Sequence, residues 1–320
     1  MRYGMTIPFP GVPLAGQRDL IAALPGLGYT DVWSAEAGGA DAFTPLALAS
    51  VWAPELRLGT AIVPVFTRGA ATLAQSVAAL AAAAPGRVAI GLGTSTEVIV
   101  RRWNGLPFEA PYARVRDTLR FLRAALTGQR ISERYETFTV DGFRLQLVPP
   151  EPPALLVAAL RSGMLRLAGR EADGAIVNWL APEDVPTVAD HVHAAGPGKE
   201  IVARIFVLVE EDPERARAVA RPLLAAYLTV DVYRAFHEWL GRGGALNPMW
   251  RAWQAGDRAG AAAAIPDGVV DALVVHGPAE RCRARIREYV DAGVTTPALA
   301  LVPAPGSPPV ADLLRALAPA

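Results

Sequence analysis

The chain alternates short β-branched runs with longer Ala/Leu-rich segments, and this alternation limits its fold more than any other feature of the sequence. The runs are Arg2–Ile7, Asp31–Ser34, Arg57–Pro64, Arg87–Leu92, Ala154–Ala159, Gly174–Asn178, Ile201–Val209 and Pro297–Val302. Between them a 3.6-residue apolar stripe marks helices near Gln17–Leu27, Thr44–Trp52, Ala71–Ala83, Tyr112–Leu126, Gly163–Gly169, Pro182–Ala195, Glu214–Leu240 and Ala279–Ala292. Several of these are closed by glycine, as at Gly28, Gly86, Gly128 and Gly293. Parallel neighbours need a crossover of about a dozen residues, usually a helix. Eight strands alternating with eight helices therefore predict an α/β chain built as a (β/α)8 barrel, with a doubly wound open sheet as the runner-up.

Two stretches depart from the repeat. Residues 130–153 alternate aromatic and polar side chains (Tyr135, Phe138, Phe143) and leave through prolines, which predicts a hairpin inserted before the fifth strand. Residues 210–276 are helical and carry Trp239, Trp250 and Trp253, so they are expected to cover the barrel mouth. No repeat or low-complexity boundary divides the 320 residues, and the expectation is one domain over 1–320.

The 31 basic residues balance the 31 acidic ones, which excludes an electrostatic nucleic-acid binder and, with 52% hydrophobic residues, a disordered chain. The single cysteine, Cys282, permits neither an intramolecular disulfide nor a cysteine zinc site, and it falls mid-helix, where it is expected to be inert. Prolines 8, 10 and 13 interrupt the uncharged start of the chain. A long uncharged stretch, Gly69–Gly86, contains Thr72, Gln75 and Ser76 and closes with Pro85 and Gly86. Both argue for a cytoplasmic protein with no membrane span. All basic residues but Lys199 are arginines, so a single arginine reads as solvated surface.

In such barrels chemistry sits just beyond the carboxyl ends of the strands. Glu36 follows the second run and Glu97 the fourth, and with His276 they are the acid–base candidates; a surface carboxylate or a turn histidine is the competing reading. Gly93-Thr94-Ser95-Thr96 joins a permissive glycine to hydroxyls, and Arg161-Ser162-Gly163 opens a helix, so the two could hold a phosphate. Alternatively Ser162 is simply an N-cap. Gly91-x-Gly93-x-x-Thr96 lacks the third glycine of the dinucleotide fingerprint, and no Gly-x-Ser-x-Gly elbow occurs. His191 and His193 stand at i, i+2, facing apart, so no metal is expected. Phe9, Phe66 and Trp179, with Trp103 and Trp250, would line a pocket for an apolar small molecule.

Several motifs in this order resemble one known family. They are Arg2-Tyr3-Gly4-Met5, Leu27-Gly28-Tyr29-Thr30-Asp31-Val32-Trp33, Arg57-Leu58-Gly59-Thr60-Ala61-Ile62-Val63-Pro64 and Pro85-Gly86-Arg87-Val88-Ala89-Ile90-Gly91-Leu92-Gly93. Met164-Leu165-Arg166-Leu167-Ala168-Gly169, Ala172-Asp173-Gly174, Gly277-Pro278-Ala279-Glu280 and Tyr289-Val290-Asp291-Ala292-Gly293-Val294 follow. Over nearly its whole length the chain resembles the luciferase-like monooxygenases, and within them the oxidoreductases that use the deazaflavin coenzyme F420. The resemblance implies a flavin or deazaflavin at the barrel mouth, a non-proline cis peptide at Ala61–Ile62 behind its ring, and a head-group contact from Glu36. It also implies phosphate contacts at Gly93, Thr94, Ser95, Ala159, Leu160 and Arg161, and a homodimer. Two departures stand out. Ala37 replaces the catalytic histidine of the sugar-phosphate dehydrogenase members, and Leu160-Arg161 replaces their Gly-Gly pair. The expected function is hydride transfer between F420 and an organic substrate, with an FMN-dependent monooxygenase and a non-catalytic flavin- or ligand-binding barrel as alternatives.

Overall fold

The protein is described by a computed structural model covering residues 1–194 and 197–319. Its strands are β1 (Gly4–Thr6), β2 (Asp31–Ser34), β3 (Arg57–Pro64), β4 (Val88–Gly93), β5 (Ile131–Arg134), β6 (Thr139–Phe143), β7 (Ala154–Ala158), β8 (Gly174–Asn178), β9 (Glu200–Val209), β10 (Val275–Gly277) and β11 (Thr296–Leu301). β1, β2, β3, β4, β7, β8, β9 and β11 pair in that order, all parallel, and β11 pairs with β1. The barrel is thus closed, not an open sheet, and its eight strands coincide with the eight runs of the sequence. β10 pairs with the far end of β9, and β5–β6 form an antiparallel hairpin within 130–153.

The helices are α1 (Arg18–Ala23), α2 (Thr44–Trp52), α3 (Ala70–Ala83), α4 (Pro111–Ala125), α5 (Ser162–Glu171) and α6 (Val185–His193), then α7 (Pro213–Leu228), α8 (Asp231–Trp239), α9 (Gly243–Gln254), α10 (Arg258–Ala263), α11 (Asp267–Leu273), α12 (Ala279–Asp291) and α13 (Val310–Ala316). The helix expected to run to Ala195 ends among the described residues at His193, and Ala195 lies outside them. The single helix expected over Glu214–Leu240 is two, α7 and α8. Thr229 turns its hydroxyl back to the Ala225 carbonyl, and Val230 is extended (φ −75°, ψ 132°), so two β-branched residues break the helix. At α5 Arg161, not Ser162, occupies the N-cap and makes no side-chain cap bond.

Alternation along β9 sorts its side chains. Ile201, Ala203, Ile205 and Val207 join the main core between strands and helices, whereas Val202 joins Trp33, Ala89, Leu156, Ile176 and Ala298 inside the barrel. Further up the same inner face, Phe206 and Leu208 pack with Trp179 and Ala300 against Leu224, Leu246, Met249 and Val270 of α7, α9 and α11. Burying each such large side chain contributes roughly 1.5–3 kcal/mol, so the 210–276 segment is held over the β8, β9 and β11 ends by apolar contact. Cys282 is buried in α12, where burial pushes its thiol up to about 12 and keeps it from forming a thiolate.

At the opposite end Arg57 makes a two-pronged ion pair with Glu200 (2.7 and 2.8 Å), lies 3.5 Å from Asp31, and Thr296 donates to the same Glu200 (2.7 Å). These bonds tie β3, β9, β2 and β11 together across the barrel floor, leaving the mouth for function.

Candidate active site

The site is built on an irregularity in β3. Its register against β4 shifts between Thr60 and Val63, and the Ala61–Ile62 peptide is cis. Thr60 pins the strand just below by accepting from the Gly91 N–H (2.8 Å) and donating to the Gly91 carbonyl (3.1 Å). A Cβ on Gly91 would run into the Thr60 carbonyl and Ile176 Cδ1. On Gly93 it would lie 2.9 Å from Ile62 Cδ1. Only glycine lets β4 approach the bulge this closely. Ala61 and Ile62 remain half-buried, a small apolar platform facing the mouth.

Glu36 is bound to this platform. Its backbone N–H donates to the Ile62 carbonyl (3.0 Å), and its carboxylate accepts from Arg68 (2.7 and 3.3 Å), from Thr67 (3.2 Å) and from the Ala42 N–H (3.2 Å). Asp41 reinforces the loop. Burial would raise its pKa, but hydrogen bonds from Thr44 and Phe43 and the nearby Arg68 outweigh that and hold it below the usual range. Glu36 therefore joins the loops after β2 and β3, with three donors on Oε2 and only the Thr67 hydroxyl on Oε1.

The other two acid–base candidates are elsewhere. Glu97 is exposed and paired with Arg101 one turn on (2.7 Å). His276 is buried on β10, where its Nε2 meets Asp271 (2.8 Å), itself bound by Arg217 (2.7 Å). That arrangement anchors α7 and α11. Among the described residues no hydrogen bond joins any two of Glu36, Glu97 and His276.

The strand-end loops are shaped differently. Ser95 lies at φ 61°, Thr94 donates to the Ser95 carbonyl (3.2 Å), and Thr96 Oγ1 accepts from the Ile99 N–H (3.3 Å) where a π-helical turn, Val98–Trp103, begins. The half-buried hydroxyls of Thr94 and Ser95 thus rim the mouth beside Gly93. Across from them Ala159 is buried, with its N–H on the Ile176 carbonyl (3.0 Å), Leu160 is half-buried, and Arg161 extends into solvent at the start of α5.

The aromatic candidates divide. Phe66 is half-buried and tilts against Phe108 (centroids 5.0 Å apart). Phe9 is shut in the main core, its N–H donating to Gln17 (2.9 Å). Trp250 donates to the Leu228 carbonyl (2.9 Å) and so fastens α9 to α7. Trp103, 60% exposed, lies against Gly38 and bridges the loops after β2 and β4. Trp179 is buried at the end of β8, stacked on Phe206 (3.8 Å, 11°), with φ 54°, a backbone region that costs a bulky residue about 1–3 kcal/mol.

Sequence reasoning missed Arg204. It interrupts the otherwise apolar run Ile201–Val209 on the inward face, opposite Asn178 of β8, and its guanidinium lies over Phe206 (4.9 Å). The signal was available, since one charge at an inward position of a barrel strand cannot be a solvated face. Two cavities, of about 390 and 470 Å³, lie away from all these residues. The first is beside Arg2, Arg57 and Arg87 under the barrel floor, and the second lies between the start of α3 and β6. Among the described residues no group of three or more His, Cys, Asp or Glu could hold a metal.

A family model for the luciferase-like monooxygenases matches residues 1–296. The chain belongs to this family. Within it the chain is 27% identical to a Mycobacterium tuberculosis protein named, provisionally, as a coenzyme F420-dependent oxidoreductase, over 92% of this chain and 93% of the other. Among solved structures it is similar to the F420-dependent tetrahydromethanopterin reductase of Methanopyrus kandleri (TM-score 0.78, 20% identity, covering 99% and 97%). It is also similar to an FMN-bound type II Baeyer–Villiger monooxygenase component of Pseudomonas putida (TM-score 0.70, 14% identity, covering 99% and 97%). At these identities the two structures establish the fold they share with this chain.

Proposed function

We propose that this protein is an F420-dependent oxidoreductase that transfers a hydride between the deazaflavin and an organic substrate. The observation that carries this reading is the bulge at Ala61–Ile62, backed by Gly91 and Gly93 and anchored by Glu36, which offers a flat apolar ledge for a planar heterocycle at the mouth. The residues present fit the group. Gly91 and Gly93 let β4 close on the back of the ledge, so that Ala61 and Ile62 face the mouth, and the Thr94 and Ser95 hydroxyls and the exposed Arg161 at the neighbouring strand ends would supply donors for an anionic tail. Relatives named as F420-dependent support F420 over FMN.

The bound deazaflavin supplies the hydride chemistry. The chain's own residues orient and exclude. Ile62 would supply the face against which the ring rests, the Glu36–Arg68–Thr67 cluster holds the two adjoining loops together, and the apolar cover over β8, β9 and β11 would keep water from the reacting carbons. Holding reactants about 3–3.5 Å apart is where most of the rate gain of such a site arises. The homodimer, which rests on the family resemblance, and the cytoplasmic location, which rests on the sequence's proline-broken start and uncharged stretch, remain part of this reading. Sedimentation at micromolar protein tests the first and cell fractionation the second. No helix among the described residues is long and apolar enough to cross a membrane.

Fluorescence-quenching titration of the apoprotein with oxidised F420 and, in parallel, FMN tests the assignment. Micromolar F420 binding with little response to FMN supports it. The opposite preference moves the protein to the FMN branch, and silence from both leaves a barrel that binds neither.

A further inference from the structure

Arg204 is a cation in the wrong place unless something answers it. It projects from the inner face of β9, its Nε is sealed from solvent with no hydrogen-bond partner, and among the described residues the guanidinium makes no ion pair. The titratable groups facing it are the hydroxyls of Tyr227 on α7 and Tyr233 on α8, with no carboxylate among them, and burial pulls its pKa below the usual arginine value. Arg204 is half-buried, and a guanidinium drawn away from water with hydroxyls but no carboxylate beside it is costly to keep charged.

The surroundings make a receptor. Asn178, opposite Arg204 in the β8–β9 register, exchanges hydrogen bonds with the Tyr233 hydroxyl (3.1 and 3.3 Å), which fixes its amide. Trp179, next on the chain, stacks on the same Phe206 ring that Arg204 overlies, and Tyr227 packs on both rings (4.8 and 6.3 Å). The buried Trp179 Nε1 also lacks an acceptor. Two orphaned N–H donors, one of them charged, therefore converge on one aromatic ring at the inner end of the mouth, and Trp179 is held there in a left-handed backbone conformation that packing alone would not favour. What Arg204 Nε and Trp179 Nε1 lack is an acceptor, and what the Arg204 guanidinium lacks is a negative charge beside it.

We propose that Arg204, with Asn178 and Trp179, forms a receptor for the carboxylate of an organic-acid substrate, whose apolar body lies along the aromatic wall toward the Ala61–Ile62 ledge. This deepens the oxidoreductase reading and rests on it for the word substrate. It revises the purely apolar ligand expected from the sequence to an amphipathic one. A guanidinium recognises a carboxylate through charge-assisted, geometrically fixed bonds, which partial burial among aromatic rings strengthens.

The test uses benzoate and benzyl alcohol as probes on the full chain, by calorimetric titration and thermal melting, for wild type, Arg204→Met and Arg204→Lys. The expected result is that benzoate binds wild type and raises its melting temperature. Arg204→Met should weaken benzoate at least about tenfold, Arg204→Lys should recover part of that loss, and benzyl alcohol should bind wild type and Arg204→Met equally. Ligand-free Arg204→Met should melt no lower than wild type, because it removes a half-buried charge that has no carboxylate partner. Equal benzoate affinity in Arg204→Met, no benzoate binding by wild type, or a markedly lower melting temperature for Arg204→Met would each overturn the proposal, the last by making Arg204 a structural cation. Parallel F420 titration separates the two readings. Loss of F420 binding by wild type sinks the cofactor assignment without touching the benzoate result, and Arg204→Met should keep the wild-type affinity for F420.

Discussion

Glu36 has four acceptor contacts and one backbone bond, all within the loops that frame the Ala61–Ile62 ledge. Removing its carboxylate should loosen the ledge more than the fold, since the Glu36–Arg68 pair is partly exposed (18% and 22% of the side chains) and such pairs stabilise weakly. Glu36→Ala is expected to weaken F420 about tenfold while shifting the melting temperature little, read by fluorescence titration and calorimetry on the same sample. An unchanged affinity would detach Glu36 from the site. His237 carries a second residue-scale prediction. Fully buried on α8 with both ring nitrogens unpartnered, it is pushed down to about 3 by burial and by the neighbouring Arg242. The unfolded chain binds this proton from about pH 6.5 downward and the folded one does not. Stability is therefore complete above about 6.5 and falls as pH drops toward 3, by a few kcal/mol in all. Glu200 and Asp271, held below their ordinary values, lose stability only under about pH 4.5, so the window from 6.5 to 4.5 belongs to His237. In that window urea midpoints of wild type should fall with pH and those of His237→Leu should stay flatter. At this scale the sequence was legible where a residue followed a strand, as Glu36 does. It was opaque where partners come from distant chain, as for His276 with Asp271 and Arg217, or where the abundance of arginine concealed the one, Arg204, that faces inward.

At the scale of elements, strand positions were readable because alternation within the runs and the helical period between them are local. The break between α7 and α8 was not, since the apolar stripe continues across Thr229-Val230 and only backbone geometry interrupts it. The β3–β4 pair carries the sharpest element-scale prediction. Gly91→Ala places a methyl against the Thr60 carbonyl and Ile176, in a core with no slack, and should cost about 1–3 kcal/mol in urea unfolding. It should also reduce F420 affinity, because the bulge above must shift. A stable variant with wild-type affinity would show that the bulge is not set by β4. On the floor, Arg57→Met strands Glu200, while Asp31 keeps Arg2 (3.1 Å), and should cost about 3–5 kcal/mol, whereas Arg57→Met with Glu200→Gln should recover part of that loss. Equal losses in both variants would mean that packing, not charge, holds the closure of β2, β3, β9 and β11.

The whole molecule sets a floor held by ions against a mouth whose helical cover rests on apolar contact and is fastened by the Arg217–Asp271–His276 set. Arg57, Glu200, Asp31 and Thr296 knit four strands below, while above them α7, α9 and α11 rest on Trp179, Phe206, Leu208 and Ala300. Ligand binding should be felt unequally across this division. A ligand that binds only the folded state stabilises it by mass action, about 2.7 kcal/mol at a hundred times its dissociation constant. Local opening, however, is suppressed only where the ligand makes contact. Saturating F420 should therefore raise the melting temperature of the whole chain. Its hydrogen-exchange protection should concentrate in the loops that carry Glu36, Arg68, Thr94 and Ser95, leaving the β5–β6 hairpin unchanged, and benzoate should add protection around Trp179 and α8. Measured by mass spectrometry on the apoprotein with each ligand and both, additive patterns would mean two adjoining sites in one mouth. F420 protection confined to the floor, near the cavity beside Arg2 and Arg87, would relocate the cofactor and with it the proposed chemistry.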